Sequence, residues 1–145
     1  MPVTIEKTFR FDAGHRCLGF ENSKEAALHG HTWGLRIVVE ATKPMGEYKT
    51  IFDTNKLSKV MKPIIKRLDH SFLLWDQDPI YERMVEMCKF ASIGDCLYIV
   101  PFNPTVEGLV EYLFFEIRDA LPLDGALLRR VDLDATTTLR ASYSE

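Results

Sequence analysis

Three of the four histidines in this 145-residue chain stand where they can meet. His15 closes one stretch of alternating polar and apolar residues, and His29 and His31 open another. On a strand, residues two apart point the same way and lie about 7 Å apart. His29 and His31 therefore offer two imidazoles on one face, and a third from a neighbouring strand completes a three-nitrogen set. Three neutral imidazoles with an open fourth position make a catalytic zinc site, where water or substrate takes the open position. The alternative is three structural histidines, each needing partners for its ring nitrogens. Spacing alone leaves both readings open.

Asp69 and His70 form the second candidate. A carboxylate beside a histidine can orient the ring and raise its basicity. Adjacent residues in a helix do not face each other, however, so on its own the pair reads rather as a helix end where a histidine complements the dipole. Glu25 lies four residues before His29 in a polar loop, where solvation alone accounts for it. Thr105 and Glu107 open a helical pattern, and compensation of the helix dipole is enough to explain the glutamate. Cys17 follows His15 by two residues and reads as a buried structural thiol.

The elements that must position these residues follow from periodicity. Val3, Ile5, Phe9, Phe11, Ala13 and His15 share one parity, which predicts a strand with one buried face. A second strand is predicted from about His29 to Ala41, with the polar loop Leu18 to Leu28, carrying Glu21 and Asn22, between the two. Pro44 and Gly46 mark a turn over Lys43 to Lys49, leading into a short strand near Tyr48 to Phe52. Leu57, Val60, Met61, Ile64, Ile65 and Leu68 fall at helical spacing behind an Asp53 or Thr54 cap, with a kink expected at Pro63. Between residues 71 and 95 only Tyr81 to Phe90 reads as helical, closing in a Gly94-Asp95 turn. Cys96 to Val100 reads as a strand, and Asn103-Pro104-Thr105 starts a helix with Val110, Leu113, Phe114, Ile117 and Leu121 as its apolar stripe. A last strand is predicted from about Arg129 to Ala141. The order suggests an antiparallel sheet with helices on one face, an α+β arrangement in one domain spanning 1–145.

Composition narrows the function classes. With 18 Lys+Arg against 21 Asp+Glu, the net charge of −3 argues against a general nucleic-acid binder. Hydrophobic residues make up 46%, enough for a core, yet no apolar run approaches the roughly 18–20 residues of a membrane span. Met1 to Lys7 shows no basic segment followed by an apolar one, and three cysteines without a CxxC pair fit reduced thiols. The expectation is a cytoplasmic protein.

Four ordered motifs absorb every histidine: Phe11-Asp12-Ala13-Gly14-His15, Leu28-His29-Gly30-His31, Leu68-Asp69-His70 and Asn103-Pro104-Thr105-Val106-Glu107. Together they resemble the 6-pyruvoyl-tetrahydropterin synthase family, which includes the 6-carboxytetrahydropterin synthases of queuosine biosynthesis. The resemblance implies the tunnelling (T-) fold, a four-stranded antiparallel sheet with two helices on one face, assembled into an oligomeric barrel as a trimer or homohexamer. It implies Zn2+ on His15, His29 and His31, proton relay by Asp69 and His70, and active sites between subunits. It further implies a substrate such as 7,8-dihydroneopterin triphosphate, positioned with help from Thr105 and Glu107.

Two positions depart from the family's pattern. Glu25 stands in the slot of the usual catalytic cysteine, similar to a branch that cleaves the side chain to give 6-hydroxymethyl-dihydropterin for folate synthesis. A carboxylate is a poor base toward carbon-bound protons at neutral pH, so the exchange predicts a different bond cleavage or slow turnover. Ala135 stands where the family anchors the pterin ring with a glutamate, and Asp134 is expected on the opposite face. These departures also admit 6-carboxytetrahydropterin synthase activity, a non-pterin substrate, or a zinc-bound oligomeric binding protein without turnover. The segment 71–102 exceeds the compact family pattern.

Overall fold

The computed structural model describes residues 2–19, 23–94, 96–121 and 124–145; Glu21 and Asn22 of the polar loop and Asp95 of the Gly94 turn lie outside them. Alternation forms β1 (Thr4–His15) and β2 (His29–Ala41), which pair antiparallel over their full length. Their register sets His15 opposite His29, Ala13 opposite His31 and Phe11 opposite Trp33. One face of this ribbon carries Phe11, Trp33, Leu35 and Ile37, all buried.

Helix α1 (Thr54–Leu68) begins where the Asp53 carboxylate accepts the Asn55 N–H and runs through Pro63 without interruption. It seats Leu57, Met61 and Leu68 in the core. A second helix, α2 (Tyr81–Phe90), matches its predicted bounds, and α3 (Val106–Ala120) adds Leu109, Val110, Leu113, Phe114 and Ile117 to the same core, capped by Thr105. The opposite sheet face is charged, with Arg36 reaching Glu6 and Asp132, and Arg140 pairing with Asp134.

Four strands and two helices thus realise the expected α+β plan, and three elements correct its details. The strand predicted from Arg129 to Ala141 is a hairpin, β5 (Ala126–Asp134) and β6 (Arg140–Ser144), turning at residues 135–139. Between α1 and α2 an unforeseen strand, β3 (Ser71–Trp75), pairs parallel to β1 and to β4 (Leu97–Val100). Segment 71–102 is therefore a strand–helix–strand unit that widens the sheet to the order β4-β3-β1-β2-β5-β6. The short strand expected near Tyr48 to Phe52 does not form; Ile51 and Phe52 cover the core from irregular backbone. Their apolar pull is met without a ladder partner, which alternation cannot reveal. Among the described residues no helix is long and apolar enough to cross a membrane.

Candidate metal centre and adjoining cavity

The β1–β2 register gathers His15, His29 and His31 so that one ring nitrogen from each lies within 4.8 Å of the others. Two rings are oriented from behind. Nδ1–H of His15 donates to the Pro104 carbonyl at 2.8 Å, and Nδ1–H of His29 donates to the Ala27 carbonyl at 2.7 Å. Each bond leaves the Nε2 lone pair free to face inward, the arrangement that fixes the tautomer of a metal-ligating histidine. His15 Nε2 and His31 Nε2 stand 3.1 Å apart, while His29 Nε2 is buried and finds no hydrogen-bond partner among the described residues.

An orphaned buried nitrogen is costly unless something binds it, and a cation shared by the three rings satisfies all of them. Burial, with lesser repulsion from its neighbours, pushes His15 down to about 4, so its ring is neutral at physiological pH as a ligand must be. Burial lowers His31 as well. The donor set fits zinc: three imidazole nitrogens, with no fourth ligand grouped with them among the described residues.

A cavity of about 260 Å³ adjoins the histidines. His15 and His31 line it together with Glu25, Thr105, Glu107 and Ala135. Glu25 Oε2 lies 3.7 Å from His29 Nε2. Cys17 faces the same space, but burial and the two nearby glutamates push its thiol up to about 11, so it stays protonated and inert. Ala135 sits at the hairpin turn with its N–H bonded to the Leu139 carbonyl. Asp134 points to the other sheet face and is engaged by Arg140, so it does not fill the place of a missing carboxylate in this cavity.

Asp69 and His70 lie elsewhere. His70 opens onto a second space of about 500 Å³ shared with Asp12, Thr32 and His31, so His31 borders both. Adjacent residues do not face each other in a helix, but His70 lies outside α1: its φ of +61 makes a left-handed turn just past the helix end. That turn brings His70 Nδ1 to 2.8 Å from Asp69 Oδ2, while Asp69 Oδ1 accepts the Asp12 N–H at 2.8 Å. The latter bond first, and His70 second, hold the Asp69 carboxyl below its ordinary range. A non-glycine residue in this conformation is strained, and such strain collects at functional positions.

Three contributors escaped the sequence reading. Pro104 orients His15, and the Asn103 amide clasps both the N–H and the carbonyl of Leu18. Their place inside the Asn-Pro-Thr motif was the available signal. Arg16, bonded to Asp78, had none.

The family model for 6-pyruvoyl tetrahydropterin synthase matches residues 4–145. The chain belongs to that family. It is 29% identical to the 6-carboxy-5,6,7,8-tetrahydropterin synthase of Aquifex aeolicus, over 100% of this chain and 99% of that one. It is 33% identical to the dihydroneopterin monophosphate aldolase of Pyrococcus furiosus, over 82% and 78% of the two chains. The fold superposes on the Wolinella succinogenes protein WS1659 with a TM-score of 0.88, at 19% identity, covering 100% and 99%. The Plasmodium vivax 6-pyruvoyltetrahydropterin synthase, solved with its catalytic glutamate replaced by alanine, gives 0.68 at 13% identity, covering 99% and 98%. Family membership makes the T-fold and pterin-lyase chemistry the frame for the site.

Proposed function

We propose that the chain is a zinc-dependent lyase that acts on 7,8-dihydroneopterin triphosphate or a related pterin and releases 6-hydroxymethyl-dihydropterin. The observation that carries this reading is the cavity in which Glu25 and Glu107 meet His15 and His31, two members of the histidine triad. His15, His29 and His31 would hold the metal, whose charge acidifies C–H and O–H groups beside it. Glu25 takes the cysteine's place as base. A carboxylate matches an O–H proton better than a C–H proton; when a side-chain hydroxyl loses its proton, the outer fragment leaves as an aldehyde and the carbon kept on the ring takes up a proton. The glutamate of the Plasmodium vivax enzyme and the aldolase name of the Pyrococcus relative support this choice.

Asp69 and His70 complete the proton relay from a second copy of the chain. Within one chain His70 and Glu25 line different spaces, and the His70 side chain is 82% exposed. Self-association into a trimer or hexamer, as the family implies, brings a partner's relay to each cavity. Thr105 caps α3 and sets Glu107 in its first turn, facing the space that Ala135 leaves open. Glu107 then pairs with the guanidine-like edge of the ring. The name of the Aquifex relative favours a second reading, 6-carboxytetrahydropterin synthase, with the same metal and substrate.

Titrating the zinc-loaded chain with biopterin, followed by ligand fluorescence, tests the substrate class. Saturable binding is expected, weakened about ten- to a hundredfold in Glu107→Gln, the loss of one charge-assisted pair. Absence of binding would favour a non-pterin ligand or a protein without turnover.

A further inference from the structure

We propose that Asp78, acting through Arg16, is a positioning residue for the loop that carries Glu25 and orients His29. The loop is a short 3-10 turn, Lys24–Ala26, in which no residue is buried. With none of its residues buried, the turn depends on polar bonds for much of its placement. Three consecutive carbonyls do so. The Glu25 carbonyl accepts the Cys17 N–H at 2.7 Å, the Ala26 carbonyl accepts Arg16 Nη1 at 3.3 Å, and the Ala27 carbonyl accepts His29 Nδ1 at 2.7 Å.

Two of these supports come from the residues directly after His15, and Arg16 is itself braced. Its Nε and Nη2 grip both oxygens of Asp78 at 2.8 and 2.6 Å, a two-pronged pair whose carboxylate side chain is 2% exposed. Asp78 is in turn fixed by the turn leading into α2. Its N–H donates to the Trp75 carbonyl, and its Oδ1 also accepts the Ile80 N–H at 2.9 Å. The chain of support therefore runs from the β3–α2 turn through one guanidinium to the carbonyl between Glu25 and Ala27. An arginine fork can hold a carboxylate with two prongs and a carbonyl with its remaining nitrogen, which a lysine cannot do at once. This gives the strand–helix–strand unit over 71–100 a role at the site, through a pair 62 residues apart in the chain.

The proposal rests on the reading of the three histidines as zinc ligands and of Glu25 as the acid-base group, and its test separates the two. Zinc dissociation constants are measured by competition with a chromogenic chelator, and trypsin cleavage after Lys24 is timed by mass spectrometry. In Asp78→Asn the zinc constant should rise about three- to tenfold, below the ten- to a hundredfold cost of losing a ligand's direct outer partner, and cleavage after Lys24 should quicken. Arg16→Lys, which keeps the charge toward Asp78, should move both readouts the same way with a smaller loss in Tm. A purely structural pair would lower Tm and leave both unchanged. Wild-type zinc affinity or wild-type protection of Lys24 in Arg16→Lys overturns the proposal. A wild-type chain that takes no zinc refutes the functional reading instead, and the Lys24 cleavage then decides on the strut alone.

Discussion

A His31→Ala chain is expected to lose tight zinc binding and, with it, the stabilisation that zinc confers on the wild-type chain. The three inward nitrogens lie within 4.8 Å of one another, and two of their rings are locked by backbone carbonyls. Such preorganisation concentrates binding energy in the folded state. A ligand held only by that state, at a thousandfold excess over its dissociation constant, stabilises by about 4 kcal/mol. For a chain of this length that corresponds to about 10 °C in Tm. Wild-type protein should therefore melt about that much lower after chelation, whereas His31→Ala should melt alike with and without chelator. His31 is the right residue to remove because, unlike His15, it is not tied to a carbonyl and borders both spaces at the site. Stoichiometric zinc in His31→Ala, or a wild-type Tm indifferent to chelation, would contradict the assignment of the ligands.

Glu25→Ala and His70→Ala should each lower turnover by about 10²- to 10⁴-fold, the range for a positioned acid or base. Mixed, dissociated and reassociated, the two inactive chains should regain activity. If Glu25 of one copy works with His70 of another, random assembly leaves about one interface in four with both residues intact. The expectation follows from placement: His70 faces a space shared with Asp12 and Thr32, and Glu25 faces the other side of His31. Failure of a mixed oligomer to recover any activity would mean that both groups serve one chain's own site.

The parts of this architecture that were legible from residue order are those with strong local periodicity. Twelve residues of alternation in β1 and thirteen in β2 marked both strands and the shared face of His15, His29 and His31. Asp53, Thr105 and the apolar stripes marked α1 and α3. The hairpin of β5 and β6 was read as one strand because the turn at 135–139 contains no glycine or proline, and three threonines continue a β-like pattern through it. Ser71–Trp75 escaped because a five-residue buried strand between parallel neighbours has no alternation to show. At the site, the grouping of the three histidines was visible as spacing, whereas the Asp69–His70 bond depends on a left-handed backbone at His70 that no side-chain pattern announces. The sharing of one cavity by Glu25, Glu107 and Ala135 depends on contacts across more than a hundred residues of chain.

The most direct test of the central claim is the product formed from 7,8-dihydroneopterin triphosphate by the zinc-loaded chain, identified by mass spectrometry with His31→Ala as the blank. The account predicts a 6-hydroxymethyl-dihydropterin product that the blank does not make. A 6-carboxy or 6-pyruvoyl product would mean that Glu25 does the cysteine's work instead. No turnover with zinc bound would contradict the account and leave Ala135 as the place where this chain parted from pterin chemistry.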